Sequence, residues 1–292
     1  MTLTCLRTLS LCVLWSVLVP ASALDILLTN DDGFAAPGLQ AMAEALTRAG
    51  HTVRVVAPET DQSGTSARIS TSEFRLREES PGVHAVAGSP ADAVWVALGV
   101  VLKDDLPDLV VSGANRGQNL GAVTHLSGTV GAAVMATLNG IPAIAVSTGL
   151  DFAEHAEGFP STIAAYPQTA RYVTRLIDAL AHTAGAGPLL PPGVLLNINH
   201  PALPTESVRP AVWAEPGAGW GYAVRHVPGE APGTLKLRFG ADDTTIAEAQ
   251  TNRDTARFRA GHITVSLLAV AGRDPDPVRA DLARRLAGVV VP

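Results

Sequence analysis

Asp31 and Asp32 are neighbours in the run Ile26-Leu27-Leu28-Thr29-Asn30-Asp31-Asp32-Gly33, where an apolar stretch gives way to polar residues. In a continuing strand their side chains would point to opposite faces, because successive residues alternate. They meet at one point only if the chain turns there, and Gly33 permits a turn. Two carboxylates held together repel, and each raises the pKa of the other unless a cation compensates them. With amide and hydroxyl oxygens beside them, such a pair suits a hard divalent ion, Mg2+ or Mn2+. Asp at a break of this kind also serves as an Asx-turn or N-cap residue, here for a helix after Pro37. The pair alone leaves both uses open.

The elements that must hold this pair follow a βα rhythm. Asp25 to Thr29 reads as a buried strand, and Leu39, Met42, Ala43 and Leu46 form a helical stripe that stops at Gly50. A strand over Thr52 to Ala57 precedes a loop rich in Ser, Gly and Thr from Glu59 to Ser66, and weaker strand signals fall around Phe74 and over Val83 to Val86. Ser89-Pro90-Ala91-Asp92 opens a helix reaching about Leu102, with Ser as cap, Pro at the first helical position and an acid in the first turn. Leu109 to Val111 reads as a buried strand followed by a Gly/Asn loop. A small-residue helix from Thr129 to Asn139, a strand from Ala143 to Val146, a helix around Thr162 to Ala181 and a strand from Val194 to Asn199 complete the alternation. This order predicts an α/β fold with a doubly wound, mostly parallel sheet. Past Pro201, strand-like pieces at Leu235 to Phe239 and Ile263 to Leu268 precede a last helix, from just before Val278 to near Val289. This tail is either a hairpin appendage that packs on a partner subunit or ordinary loop, because isolated hairpins seldom hold alone.

In a doubly wound sheet, ligands bind at the carboxyl ends of the strands. The segments Asn30 to Gly33, Asp61 to Ser66 and Ser112 to Gly121 fall there, and Ser127-Gly128-Thr129-Val130-Gly131 opens a helix. Backbone N–H groups at such a helix start, with hydroxyls beside them, can hold a phosphate. Together these segments offer two carboxylates, a neutral oxygen from Ser63, an amide oxygen from Asn115 and an anion cradle. His125 in the same region is either a proton donor or a surface residue, and Arg116 either clamps a phosphate or carries a solvated charge. Trp213, Trp220 and Tyr222 could stack on a nucleobase or pack the tail.

The chain has 292 residues, 21 basic and 27 acidic, a formal net charge of -6 that does not suit a nucleic-acid polymer. Its first residues read as a secretory signal over 1–23, with an apolar stretch from Leu9 to Val19 and the cleavage site Ala21-Ser22-Ala23. That core is short of the ~20 residues needed to span a bilayer, so no stable membrane insertion is expected after cleavage. Cys5 and Cys12 both lie in this segment, which leaves the mature chain without disulfides or a thiolate metal site. The expected protein is extracytoplasmic and without a lipid anchor. The eight histidines show no HExxH spacing.

Several stretches in register resemble the SurE (survival protein E) family of metal-dependent 5'/3'-nucleotidases. They are ILLTNDDGFAAPGLQAMAEAL (Ile26 to Leu46), VVAPETDQSGTS (Val55 to Ser66), GSPADAVWVAL (Gly88 to Leu98), DLVVSGANRGQNLG (Asp108 to Gly121), SGTVGAA (Ser127 to Ala133), IPAIAVS (Ile141 to Ser147) and LNINHPALP (Leu196 to Pro204). The resemblance implies a Rossmann-like nucleotidase core over 24–204, and over 205–292 C-terminal hairpin and helix elements exchanged between subunits of a homodimer or homotetramer. It implies one divalent ion per subunit on Asp31, Asp32, Ser63 and Asn115, with phosphate contacts at Gly64, Asn119, Ser127, Gly128 and Thr129. The implied substrate is a small phosphate ester, attacked by a metal-activated water with Asp31 and Asp32 as the catalytic carboxylates. The loop Ala122-Val123-Thr124-His125-Leu126 departs from the family, which usually has acidic residues followed by an aromatic there. A secretory leader is also unusual in a family generally read as cytoplasmic.

Overall fold

The computed structural model of the chain describes residues 23–220, 222–240, 252–270, 272 and 275–291. The expected leader, apart from Ala23, therefore lies outside the described residues. No helix among the described residues is long and apolar enough to cross a membrane.

The alternating section runs β1 (Asp25–Thr29), α1 (Pro37–Arg48), β2 (Thr52–Pro58), β3 (Leu76–Ser80), β4 (Val83–Val86), α2 (Pro90–Val96), β5 (Leu109–Arg116), α3 (Gly128–Leu138), β6 (Ala143–Thr148), α4 (Pro160–Ala184) and β7 (Val194–His200). After it come β8 (Arg209–Trp213), β9 (Ala223–Pro228), β10 (Leu235–Gly240), α5 (Asp254–Arg259), β11 (His262–Ala269) and α6 (Asp276–Arg285). Nine strands form one sheet in the order β3-β4-β2-β1-β5-β6-β7-β11-β8. From β4 to β7 every pairing is parallel, while β3 and β11 run antiparallel to β4 and β7. From β1 the chain moves one way, through β2 to β4, and from β5 it moves the other way, through β6 to β7. The direction reverses between β1 and β5, where a doubly wound sheet leaves a crevice beyond its strand ends.

Strand alternation sorts the apolar residues into two cores. Ile26 and Leu28 join Leu39, Met42 and Leu46 of α1 and Leu176, Ile177 and Leu180 of α4 on one face. Leu27 joins Val94 of α2 and Val130, Ala133 and Ala136 of α3 on the other. Each fully buried Leu or Ile contributes roughly 1.5–3 kcal/mol of transfer free energy, so the strand that carries the aspartates is anchored from both sides.

Several boundaries differ from the sequence reading. β5 continues through the expected Gly/Asn loop to Arg116, because Asn115 and Arg116 pair with Ser147 and Thr148 of β6 after a register shift. The helix expected to reach Leu102 is α-helical to Val96 and then widens into a π turn over Ala97–Val101. The strand sought around Phe74 starts at Leu76, and Phe74 itself is exposed. β8 escaped notice because Pro210 lowers its strand signal, yet it is an edge strand, where a missing N–H is tolerated. Its Trp213 is buried in the core. β8 and β11 extend the main sheet, while β9 and β10 form a separate antiparallel hairpin.

Candidate active site

The turn after β1 is closed by Asn30 rather than by either aspartate. Asn30 Oδ1 accepts from the Gly33 N–H at 3.2 Å, and Asn30 Nδ2 donates to the Gly33 carbonyl at 2.9 Å. Gly33 sits at φ 102°, the left-handed region that the sequence anticipated. α1 begins after Ala36 with no side-chain cap, so the cap role considered for Asp31 and Asp32 is not theirs. Both side chains instead reach across the crevice. Asp31 Oδ1 accepts from the Thr129 hydroxyl at 2.6 Å, and Asp32 Oδ2 accepts from the Arg116 backbone N–H at 2.9 Å.

The electrostatics follow from that packing. Burial pushes the Asp31 carboxyl up to about 7, the neighbouring Asp32 adds to the rise, and the hydroxyl and backbone N–H of Thr129 oppose it. Asp32 is raised as well, first by burial and also by Asp61, against the pull of Arg116. Asn115, at the end of β5, donates from Nδ2 to the Gly117 carbonyl at 2.7 Å, and no described residue donates to its Oδ1. The Ser63 loop touches the pair through Gln62, whose N–H donates to the Asp31 carbonyl at 2.7 Å. Ser63 and Gly64 themselves are exposed on this loop. Among the described residues no three His, Cys, Asp or Glu side chains cluster as a metal site. A cation here would therefore be held by the two carboxylates and neutral oxygens. Two underneutralised carboxylates beside an undonated amide oxygen fit a hard divalent ion.

α3 starts directly against Asp31. A Cβ built on Gly128 would lie 2.9 Å from the Asp31 Cβ, so only glycine lets the helix start come this close. Ser127 is the N-cap of α3, its Oγ accepting from the Val130 N–H at 3.1 Å. Of the expected phosphate contacts, Ser127 uses its Oγ only as the acceptor of the cap, which leaves its O–H to donate, whereas the Thr129 O–H is given to Asp31. Beside the Ser127 hydroxyl, α3 offers an anion the backbone of its first turn and its positive dipole end.

Asn119 is held from several directions. Its N–H donates to Asn199 Oδ1 at 2.7 Å, and its carbonyl accepts from Asn197 Nδ2 at 2.8 Å and Asn199 Nδ2 at 3.1 Å. Its Nδ2 donates to Ser147 Oγ at 2.9 Å and to Thr129 Oγ1 at 3.4 Å. The sequence reading missed Ser147, Asn197 and Asn199 as supports. The signal was there in Leu196-Asn197-Ile198-Asn199, where two amides two residues apart on a buried strand must share a face. It also left out Asp61, whose carboxylate lies 4.0 Å from the half-exposed Arg116 guanidinium and acts on Asp32. His125 is exposed, and its backbone carbonyl accepts from the Ser66 hydroxyl at 2.8 Å.

A family model described as survival protein SurE matches residues 26–219. A protein from Burkholderia lata named 5'-nucleotidase SurE 1 is 35% identical over 244 residues, covering 83% of this chain and 89% of that relative. A 5'-nucleotidase SurE from Synechococcus sp. is 38% identical over 204 residues, 68% of each chain. Among solved structures, the crystal structure of the SurE protein from Aquifex aeolicus superposes with a TM-score of 0.69 at 28% identity, covering 88% of this chain and 97% of that one.

Proposed function

The chain belongs to the SurE family, and on that premise we propose that it is a metal-dependent 5'-nucleotidase, a phosphoric monoester hydrolase acting on nucleoside monophosphates. The observation that carries this reading is the meeting of Asp31, Asp32 and the first turn of α3 at the β1–β5 crevice. The proposed ligands of one Mg2+ or Mn2+ per subunit are Asp31, Asp32, Ser63 and Asn115. When bound, such an ion supplies a Lewis acid for the phosphoryl group and lowers the pKa of a water.

The chain's own residues have separable tasks. Asp31, buried and held by Thr129, keeps a fixed carboxylate at the base of the crevice. Asp32, less buried and bonded among the described residues to the Arg116 N–H, would take a proton from the attacking water. The proposed phosphate contacts are Gly64, Asn119, Ser127, Gly128 and Thr129, with the backbone of the first turn of α3 meeting the phosphoryl oxygens as charge builds on them. Hydrolysis of 3' esters belongs to the same proposal, since the contacts assigned so far grip only the phosphoryl group.

Homodimer or homotetramer assembly through the C-terminal elements is part of the proposal too. Leu235, Leu237 and Phe239 of β10 share one face of the β9–β10 hairpin and are 70%, 51% and 44% exposed. Such a face is covered by another copy more readily than it is left in water. The leader over 1–23 would direct the enzyme to the periplasm, where its substrates are extracytoplasmic nucleotides.

The test is one panel of 5'-AMP, 3'-AMP, an aryl phosphate and short polyphosphate, each assayed with Mg2+, Mn2+ or chelator. The expected result is phosphate release from 5'-AMP that chelator abolishes and either metal restores. Activity indifferent to chelator would overturn the metal reading, and hydrolysis of the aryl ester alone would overturn the nucleotidase reading.

A further inference from the structure

The loop after β8 is fastened to the phosphate side of the site. Gly219 O accepts from the Ala122 N–H at 3.0 Å. Asp254, wholly buried at the start of α5, accepts from the Gly121 N–H at 2.9 Å with one oxygen and from the Gly217 N–H at 2.8 Å with the other. Gly121 lies two residues from Asn119, which is bonded in turn to Thr129 and so to Asp31. A short bonded path therefore links the carboxylate pair to the residue that follows Gly219.

That residue is Trp220, 44% exposed. Its ring stands edge-on to Tyr222, with centroids 6.4 Å apart. Tyr222 is braced edge-on by Phe239 of the hairpin at 5.5 Å and lies 6.1 Å from Phe152, which follows the carboxyl end of β6. Four rings meet here in a chain that is only 4% aromatic. Phe152 and Tyr222 are partly buried, while Trp220 and Phe239 are each 44% exposed. Of the two exposed rings, Trp220 is the larger, and it directly follows Gly219, whose carbonyl holds the Ala122 N–H. On the other flank of the site, the cleft around Glu59, Thr60, Gln62, Arg68 and Ser70 has no aromatic lining.

We propose that Trp220, braced by Tyr222, is the platform on which the nucleobase of the substrate stacks, with the Asp254 clasp fixing its distance from the phosphate site. This rests on the nucleotidase reading and names how that site recognises the part of its substrate that does not react. A flat ring tolerates any base, because every base has a π face, and it favours purines through their larger overlap.

The experiment compares 5'-AMP with ribose 5-phosphate, which has the same ester but no base, on the wild type, Trp220→Ala and Trp220→Phe. Trp220→Ala is expected to raise the KM for 5'-AMP about tenfold with kcat kept, the low end of what one base–aromatic stack contributes. Its KM for ribose 5-phosphate should stay within roughly twofold of wild type, and Trp220→Phe should recover most of the loss. The unchanged ribose 5-phosphate kinetics also report that the variant is folded. An unchanged 5'-AMP KM in Trp220→Ala, or equal losses on both esters, would overturn the platform alone. Wild-type protein that cleaves ribose 5-phosphate but not 5'-AMP would overturn the nucleotidase reading and the platform with it.

Discussion

At the scale of single residues, the site depends on how little neutralises Asp31. Among the described residues its one side-chain hydrogen-bond partner is the Thr129 hydroxyl, which fixes the carboxylate without discharging it. Replacing Thr129 by Val keeps the shape and removes that bond, so metal affinity or turnover should fall about 10- to 100-fold, read by activity across a metal titration. Equal activity at limiting metal would show that Thr129 does not orient Asp31. The aspartates were legible in the sequence because a carboxylate pair beside a turn glycine is rare chemistry in a short space. Thr129 was legible only as a phosphate contact, since nothing in a linear reading shows that a residue 98 positions away will bond to Asp31. Ser147 was missed for the same reason, its partner Asn119 being near only in space, whereas Asn199 carried a signal in its spacing from Asn197 on a buried strand.

At the scale of elements, two strands and one helix start make the crevice. β1 and β5 lie side by side in register, Thr29 opposite Ser112, which carries Asp31 and Asn115 to neighbouring strand ends. α3 then closes in from above with Gly128 against Asp31. Gly128→Ala adds a methyl where there is no room, so the helix start must retreat from the carboxylate. The expected outcome is a folded protein, with turnover down at least about tenfold, since metal-site groups must sit within a fraction of an ångström of their working positions. Circular dichroism and the phosphate-release assay on the same sample check both halves. Of these elements, β1, α1, β2, α3, β6, α4 and β7 followed from apolar periodicity and caps. β8, β9 and α5 did not, because a strand containing Pro210, an exposed hairpin strand and a six-residue helix carry almost no periodic signal.

At the scale of the whole molecule, the doubly wound sheet explains why residues from four distant segments converge, and it leaves a testable mark on stability. Burial pulls the His200 imidazole down to about 4 from an ordinary 6.5, with Arg171 adding to the shift and the Pro201 carbonyl opposing it. Between those values the unfolded chain binds a proton at this residue that the folded chain does not, so the contribution of His200 to stability rises with pH across the window, while the raised Asp31 acts in the opposite direction there. The His200 contribution is lost as pH falls from about 6.5 towards 4, by up to roughly 3 kcal/mol. Urea melts of wild type and His200→Gln across that range should show the wild type losing stability relative to the variant as pH falls; a difference that does not change with pH would contradict it. The central claim is narrower: Asp31 and Asp32 hold the cation that phosphate ester hydrolysis requires. The most direct measurement is a titration of Mn2+ into metal-stripped wild type and Asp31→Asn, with 5'-AMP hydrolysis followed in the same samples. The wild type should bind one ion per subunit, with turnover rising in step with occupancy, and Asp31→Asn should lose both at least about 100-fold. Unchanged Mn2+ affinity and turnover in Asp31→Asn would contradict the account.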